Sequence, residues 1–207
     1  MGLRRSVARS LALYRWKAES FALPAPHFVK QSVLERHGIP RAPWIETGTY
    51  RGSTTAFLSA SKVLKPPLVI SIELSEVLYR AASEKLGHLA GIKLVCGSSE
   101  DALEVQLCSL ESTSVNLWLD GHYSGGQTAL VGGNETPIEH ELNVIQDVAQ
   151  RFDKVAVFVD DTRLFGNSLS LQPGYPQLSL LPQWADRLRL RWHFGHDVFV
   201  ARGTPHA

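Results

Sequence analysis

The sequence has little cysteine: two residues, Cys96 and Cys108, among 207, without a CxxC spacing. This argues against a disulfide framework and predicts a reducing, cytoplasmic compartment. No apolar run approaches the roughly 20 residues that a membrane-spanning helix needs. Excess charge is missing as well, since the net charge is +1. Because no strong field surrounds such a chain, we expect no nucleic-acid partner.

The first 18 residues contain no acid but carry five basic residues: Arg4, Arg5, Arg9, Arg15 and Lys17. Leu3, Val7, Leu11 and Tyr14 fall on one helical face, which predicts an amphipathic basic helix. We expect this helix to pack on its own domain or on a second subunit, as in a homo-oligomer. Contact with a membrane surface is the less favoured alternative. Residues 1–40 are thus expected to be a helical extension of a core formed by residues 41–207.

The rest of the chain alternates between short β-rich apolar runs and helical patterns. Strands are predicted at Trp44–Glu46, Leu68–Glu73, Ile92–Cys96, Val115–Asp120 and Lys154–Asp160. Helices are predicted at Phe28–His37, Thr54–Val63, Ser75–Leu86, Asp101–Leu107 and Pro137–Arg151. This order predicts an α/β fold with a doubly wound, mostly parallel sheet. Two further runs, Leu188–Phe194 and Asp197–Ala201, predict an antiparallel edge at the C-terminus.

The turn after the first strand has the pattern Glu46-x-Gly48-x-x-x-Gly52. A dinucleotide-binding turn has a glycine where Glu46 stands, and a carboxylate would repel pyrophosphate. A ligand with a cationic sulfonium or ammonium group would be attracted instead. The second strand ends at Glu73, which can accept hydrogen bonds from both hydroxyls of a ribose. The two acids together indicate S-adenosylmethionine.

The segments IETGTYRGST, VISIELS, LVCGSSEDAL and LWLDGH resemble, in order, the first four motifs of class I S-adenosylmethionine-dependent methyltransferases. The resemblance implies the Rossmann-like methyltransferase fold and places the methionine end near the first turn and the ribose near Glu73. Many relatives carry an acid at position 98, where this chain has Ser98. The adenine contact is therefore expected from Ser98, Ser99, Glu100 or the main chain. The residues that the resemblance assigns to the cofactor are Glu46, Gly48, Thr49, Gly52, Glu73, Ser98, Ser99 and Asp120.

Two further strands end in acids, Asp120 and the pair Asp160-Asp161. The carboxyl ends of parallel strands meet at one edge of the sheet, so these carboxylates would repel each other unless a positive group joined them. Oxygen ligands suit Mg²⁺, or Mn²⁺ or Ca²⁺ in its place. The arrangement resembles that of metal-dependent catechol-type and antibiotic-sugar O-methyltransferases, which implies that Asp120, Asp160 and Asp161 are the metal ligands.

His122 follows Asp120 by two residues, where the sugar O-methyltransferases carry a second acid as general base. The resemblance assigns Asp120 and His122 to catalysis, with His122 taking the hydroxyl proton. Alternatives are that His122 is a fourth metal ligand or is only hydrogen-bonded in its loop. Lys30 is expected near the methionine carboxylate, and Arg163 in a salt bridge with the acid pair.

We therefore expect a metal-assisted O-methyltransferase that acts on a small hydroxylated substrate, such as a sugar. The alternatives are a metal-independent N-methyltransferase and a non-catalytic, cofactor-binding scaffold subunit.

Overall fold

A computed structural model of the protein describes residues 2–121, 136–166 and 175–206. Within these ranges, seven strands form one sheet in the order β3-β2-β1-β4-β5-β7-β6. Strands β1 to β5 are parallel, whereas β7 is antiparallel to both β5 and β6. The strands are β1 (Trp44–Thr47), β2 (Val69–Glu73), β3 (Ile92–Cys96), β4 (Ser114–Leu119), β5 (Lys154–Val159), β6 (Arg191–Gly195) and β7 (Val198–Gly203).

Helices cover both faces of the sheet, and the four that lie between β1 and β5 in the chain connect the parallel strands. They are α1 (Gly2–Ala18), α2 (His27–His37), α3 (Ser53–Ala60), α4 (Glu76–Leu86), α5 (Ser99–Cys108), α6 (Ile138–Val148) and α7 (Leu180–Arg187). Short 3₁₀ turns follow α6 and β5, at Ala149–Arg151 and Thr162–Leu164. The doubly wound fold that the sequence predicts is confirmed.

The central strands are buried on both faces because each face packs against helices. On one face, β4 and β5 pack against α5, α6 and α7 through a cluster that includes Leu103, Leu142 and Trp184. On the other face, Trp44 and Phe158 stack with ring centroids 5.4 Å apart, beneath α2 and α3. Continuous apolar strands are what a parallel sheet covered on both sides requires.

The antiparallel edge predicted at the C-terminus is also confirmed. Strands β6 and β7 are joined by His196 and Asp197, which both have positive φ, 56° and 69°. Two consecutive residues with positive φ make the kind of tight turn whose twist matches that of the flanking strands. Because β7 runs antiparallel to β5, its first residues pair with the end of β5, as Phe199 does with Val159. The turn before β7 therefore lies at the edge where the parallel strands end, which we call the carboxyl edge.

The N-terminal extension is tied to the sheet through buried polar contacts. The side chain of Asn116 in β4 accepts a hydrogen bond from the Ile39 N–H at 2.7 Å and donates one to its carbonyl at 3.0 Å. Helix α1 packs through Trp16 against Ala25 and Val29 of the same extension. The expected packing of the extension on the core stays a prediction, as does the division of the chain at residue 40.

The apolar face predicted for α1 does not make this contact. Val7, Leu11 and Tyr14 are exposed, so this face does not pack on the described part of the domain, and packing on a second subunit stays a prediction. None of the helices in the described ranges is long and apolar enough to cross a membrane.

Candidate functional site

The first turn lies at the point where the strand order reverses, because β1 pairs with both β2 and β4. Such a switch point leaves a crevice at the carboxyl edge, where ligands of doubly wound sheets bind. Gly48 has a φ of 84°, and a Cβ on it would lie 2.3 Å from the Asp120 carbonyl oxygen. Only glycine allows the turn to approach the end of β4 this closely.

Glu73 joins the first turn to the end of β2. Its carboxylate accepts hydrogen bonds from the N–H of Tyr50 at 2.7 Å and from the N–H of Ser75 at 2.9 Å. The side chain is buried, and each carboxylate oxygen retains a further lone pair. The predicted contact of Glu73 with a ribose remains compatible with this geometry and stays a prediction.

Glu46 lies beneath the turn rather than in the crevice. It is 1% exposed, and its Oε2 accepts hydrogen bonds from the hydroxyls of Thr55 at 2.5 Å and Ser71 at 2.7 Å. Thr49 belongs to the same network, with its hydroxyl 2.6 Å from that of Ser71. Burial raises the pKa of Glu46 to about 8. This raised pKa favours the protonated form near pH 7, so the free protein does not favour an ionised Glu46; the predicted role of Glu46 in binding a cationic ligand stays a prediction.

The residues predicted to lie near adenine are at the start of α5. Ser98 caps this helix, and its hydroxyl accepts a hydrogen bond from the Glu100 N–H at 3.0 Å. Ser98 and Ser99 are both half-buried, and their adenine contacts stay predictions. Sequence reasoning missed Glu141 nearby, which is 1% exposed in the first turn of α6. Burial raises the pKa of Glu141 to about 7.

Three of the predicted acids meet at the carboxyl edge. Asp120 and Asp160 end neighbouring strands, and their N–H groups donate to the carbonyls of Thr47 and Leu119. Asp120, Asp160 and Asp161 each offer one oxygen, and these oxygens lie within 4.8 Å of one another. Their expected convergence is confirmed, whereas their role as metal ligands stays a prediction.

A lysine joins these acids. The Lys30 Nζ atom, from α2, lies 2.5 Å from Asp160 Oδ1 and 2.6 Å from Asp161 Oδ1. It also lies 3.7 Å from Asp197 Oδ2, in the turn between β6 and β7. Burial alone would lower the pKa of Lys30, but Asp160 and Asp161 outweigh it and raise that pKa. The expected contact of Lys30 with a methionine carboxylate is therefore replaced by these ion pairs.

Arg163 supplies the second positive charge of the cluster. Its Nη1 atom lies 2.5 Å from Asp161 Oδ1 and also contacts Asp197 Oδ2. The predicted salt bridge of Arg163 is thus confirmed. Burial would raise the pKa of Asp161, but the bonds from Arg163 and Lys30 lower it. Burial, Asp120 and Asp161 instead raise the pKa of Asp160, and the ion pair with Lys30 opposes this rise by favouring the ionised form.

The carboxylate oxygens of the three acids suit a divalent ion by type and spacing, but the ammonium group of Lys30 lies among them. It contacts two of the three carboxylates that the ion would need. A divalent ion bound to these acids would lie close to that ammonium group and would be repelled by it. The residues as they lie therefore disfavour a metal, and metal binding stays a prediction.

His122, the proposed base, lies outside the described residues. A different histidine approaches the acids: His27, at the start of α2, lies close enough to Asp120 for their charges to interact. Burial nevertheless lowers the pKa of His27. The sequence did carry a signal for Lys30, since a lysine beside Val29 and Val33 on a buried helix face requires a buried partner.

The buried Glu46 predicts a pH-dependent stability. In the unfolded chain its pKa is 4.5, and in the folded chain about 8, so between these values only the folded state keeps the proton. The free energy of unfolding should therefore fall as pH rises from 4.5 to 8, by at most about 5 kcal/mol from this group. We expect Glu46→Gln to remove this part of the slope in urea denaturation at pH 5 to 8. Glu84→Gln, at an exposed site, should keep it; equal slopes for native protein and Glu46→Gln would contradict the prediction.

No family model matches the chain, and no curated protein matches its sequence. By structure it is similar to a Clostridium thermocellum protein described as a "putative rRNA-methylase", with a TM-score of 0.57 and 9% identity over 89% of this chain and 100% of that one. It is also similar to a Streptococcus mutans "putative methyltransferase" solved with SAH (S-adenosylhomocysteine), with a TM-score of 0.53 and 13% identity over 89% and 100% of the two chains.

An O-methyltransferase family protein from Burkholderia thailandensis gives a TM-score of 0.51 and 12% identity, over 86% of this chain and 55% of that one. At these identities the similarity concerns architecture. The chain has the Rossmann-like methyltransferase fold.

Proposed function

We propose that the protein is an S-adenosylmethionine-dependent methyltransferase that methylates a hydroxyl oxygen of a small acceptor. The observation that carries this proposal is the bond from the Tyr50 N–H to Glu73, which fixes the glycine turn against the acid at the end of β2. An acid can bind the ribose hydroxyls of the cofactor, and a glycine turn at a switch point leaves room for the methionine part attached to that ribose. The SAH complex of a protein with this fold supports the same choice.

In this proposal the cofactor lies along the carboxyl edge. Glu73 would bind the hydroxyls of its ribose, and Gly48, Thr49 and Gly52 would hold its methionine end. Ser98 and Ser99 border the adenine. Glu46 acts from below by holding Thr55 and Ser71, and through Ser71 it holds Thr49, so it shapes the turn without touching the sulfonium.

The acceptor lies at the acid cluster. When bound, S-adenosylmethionine supplies a methyl group on a sulfonium sulfur. The chain's residues hold the acceptor oxygen in line with that methyl group, and such alignment supplies much of the catalysis. Asp120 lies beside the first turn and would orient the hydroxyl. His122 would take the hydroxyl proton as the oxygen–methyl bond forms and the methyl–sulfur bond breaks, with SAH as the leaving group.

Metal-assisted transfer is a second candidate, favoured by the three oxygens within 4.8 Å of one another. Against it stands Lys30, which with Arg163 already supplies positive charge to the cluster. The proposed transfer therefore uses no metal ion. Metal-independent N-methylation and a non-catalytic scaffold remain alternatives, and RNA is the alternative acceptor because a neighbour in fold is described as an rRNA methylase.

The proposal predicts that Glu73 determines cofactor affinity. Glu73→Gln removes the charge that strengthens hydrogen bonds to the ribose hydroxyls, so the dissociation constant of SAH should rise at least about tenfold. Isothermal titration measures this constant, with circular dichroism to verify folding. The matched control is Glu76→Gln, an exposed acid in the first turn of α4, which should bind SAH within about twofold of the native protein. Native affinity in folded Glu73→Gln would contradict the proposed site.

The proposal also predicts a chemical role for His122. Transfer of a labelled methyl group to a panel of hydroxylated small molecules, with total RNA in parallel, should reveal an acceptor among the small molecules. With that acceptor, His122→Ala should lose about 10²-fold or more in turnover while SAH affinity is kept. His88→Ala, at an exposed site, is the control. A native rate in His122→Ala would exclude it as the base, and labelling of RNA alone would refute a small acceptor.

Lys30 predicts how the protein responds to divalent ions. Native turnover should not change with EDTA, and Mn²⁺ should leave the native melting temperature unchanged. Lys30→Gln leaves the buried acids without their main counter-charge, which should destabilise the fold by about 3 kcal/mol or more. Mn²⁺ should then restore stability to Lys30→Gln but have no effect on Lys62→Gln at an exposed site. Loss of native activity in EDTA, restored by Mg²⁺, would favour the metal-assisted mechanism.

A further inference from the structure

Helix α1 carries an apolar stripe that points away from its own domain. Val7, Leu11 and Tyr14 are spaced so that they share one helical face, and they are 52%, 56% and 72% exposed. The opposite face holds Trp16, which is 6% exposed and packs against Ala25 and Val29. The helix is therefore attached by one face and leaves the other, apolar face uncovered within the described part of the chain.

The charged side chains on α1 itself are all positive, and the next charge along the chain, Glu19, lies just beyond the end of the helix. Residues 1–18 contain no acid, and Arg15 and Lys17 stand in the last turn of α1. At 3.6 residues per turn, these two side chains lie roughly 80° to either side of the stripe. Both are exposed. An apolar face flanked by basic side chains is the arrangement that binds in the interface of a bilayer with anionic lipids.

We propose that α1 lies in the plane of an anionic membrane surface and attaches the protein to it. The stripe of Val7, Leu11 and Tyr14 would enter the boundary between head groups and acyl chains. Arg15 and Lys17 would remain at the level of the lipid phosphates, because their long side chains reach outward while their stems stay apolar. This attachment is independent of the methyltransferase function proposed above.

Charge and polarity favour a membrane over the other partners. A second copy of α1 would bring the same basic side chains together without an acid to pair with them. RNA would satisfy the arginines but would leave the aliphatic side chains of Val7 and Leu11 against phosphates and sugars. An anionic bilayer satisfies both the charge and the apolar stripe.

The helix is also anchored beside the candidate site. The Trp16 ring packs edge-on to His196, with centroids 5.5 Å apart. His196 and Asp197 form the turn at the carboxyl edge, where Asp197 contacts Arg163. Attachment through α1 would therefore bring the carboxyl edge close to the membrane surface.

Sedimentation with vesicles tests this proposal on the full chain. We expect the native protein to bind vesicles of phosphatidylcholine with about a third phosphatidylglycerol, but not pure phosphatidylcholine, with weaker binding at high salt. Leu11→Glu should weaken binding at least about tenfold. The control is Val105→Glu on α5, which also alters an exposed valine (61%) and should bind within about twofold of the native protein.

Circular dichroism and SAH titration verify that Leu11→Glu remains folded and binds cofactor like the native chain, so failure here is separable from failure of the proposed function. Absence of native binding to the anionic vesicles, or native-like binding by Leu11→Glu, would overturn the proposal. So would ultracentrifugation showing a native dimer that Leu11→Glu dissociates, or binding of RNA in place of vesicles, since these assign α1 to a second copy or to nucleic acid.

Discussion

The buried ammonium group of Lys30 is the contact on which the carboxyl edge depends. It joins α2 to the end of β5 and to the turn before β7, three elements distant in the chain. Without it, Asp160 and Asp161 would be buried beside Asp197 with Arg163 as their main counter-charge. Removing one partner of such a buried pair typically costs about 3–5 kcal/mol, because the remaining charges stay desolvated. The lysine thus permits acids to accumulate where the acceptor is proposed to bind.

The two halves of the proposed site use acids in opposite ways. In the cofactor half, Glu46 is buried with its pKa raised to about 8, and it organises the turn through Thr55 and Ser71. Glu73 holds the same turn from the other side by accepting two main-chain N–H groups. In the acceptor half, the carboxylates are held by cations. These contacts form the crevice when the chain folds, so fewer side chains have to be ordered when a ligand binds.

Much of the fold and part of the site could be predicted because they follow from local patterns. Alternating apolar runs predicted the parallel strands, and the carboxyl ends of those strands predicted that Asp120 and Asp160 converge. The salt bridge from Arg163 to Asp161 could be predicted because the two residues are neighbours in the chain. The second partner of Asp161 could not, since Lys30 lies 131 residues earlier. The raised pKa of Glu46 depends on burial by neighbouring elements, which a motif does not reveal. The spacing of apolar residues in α1 correctly predicted a helix, but it does not reveal which face of the helix packs on the domain.

A crystal structure of the protein grown with SAH and Mn²⁺ tests the central claim most directly. The account predicts both ribose hydroxyls within about 3.2 Å of the Glu73 carboxylate, the methionine end over Gly48, and Lys30 still between Asp160 and Asp161. A ribose bound away from Glu73 would contradict the proposed cofactor site. A Mn²⁺ ion bound to Asp160 and Asp161 with Lys30 displaced would contradict the role assigned to that lysine.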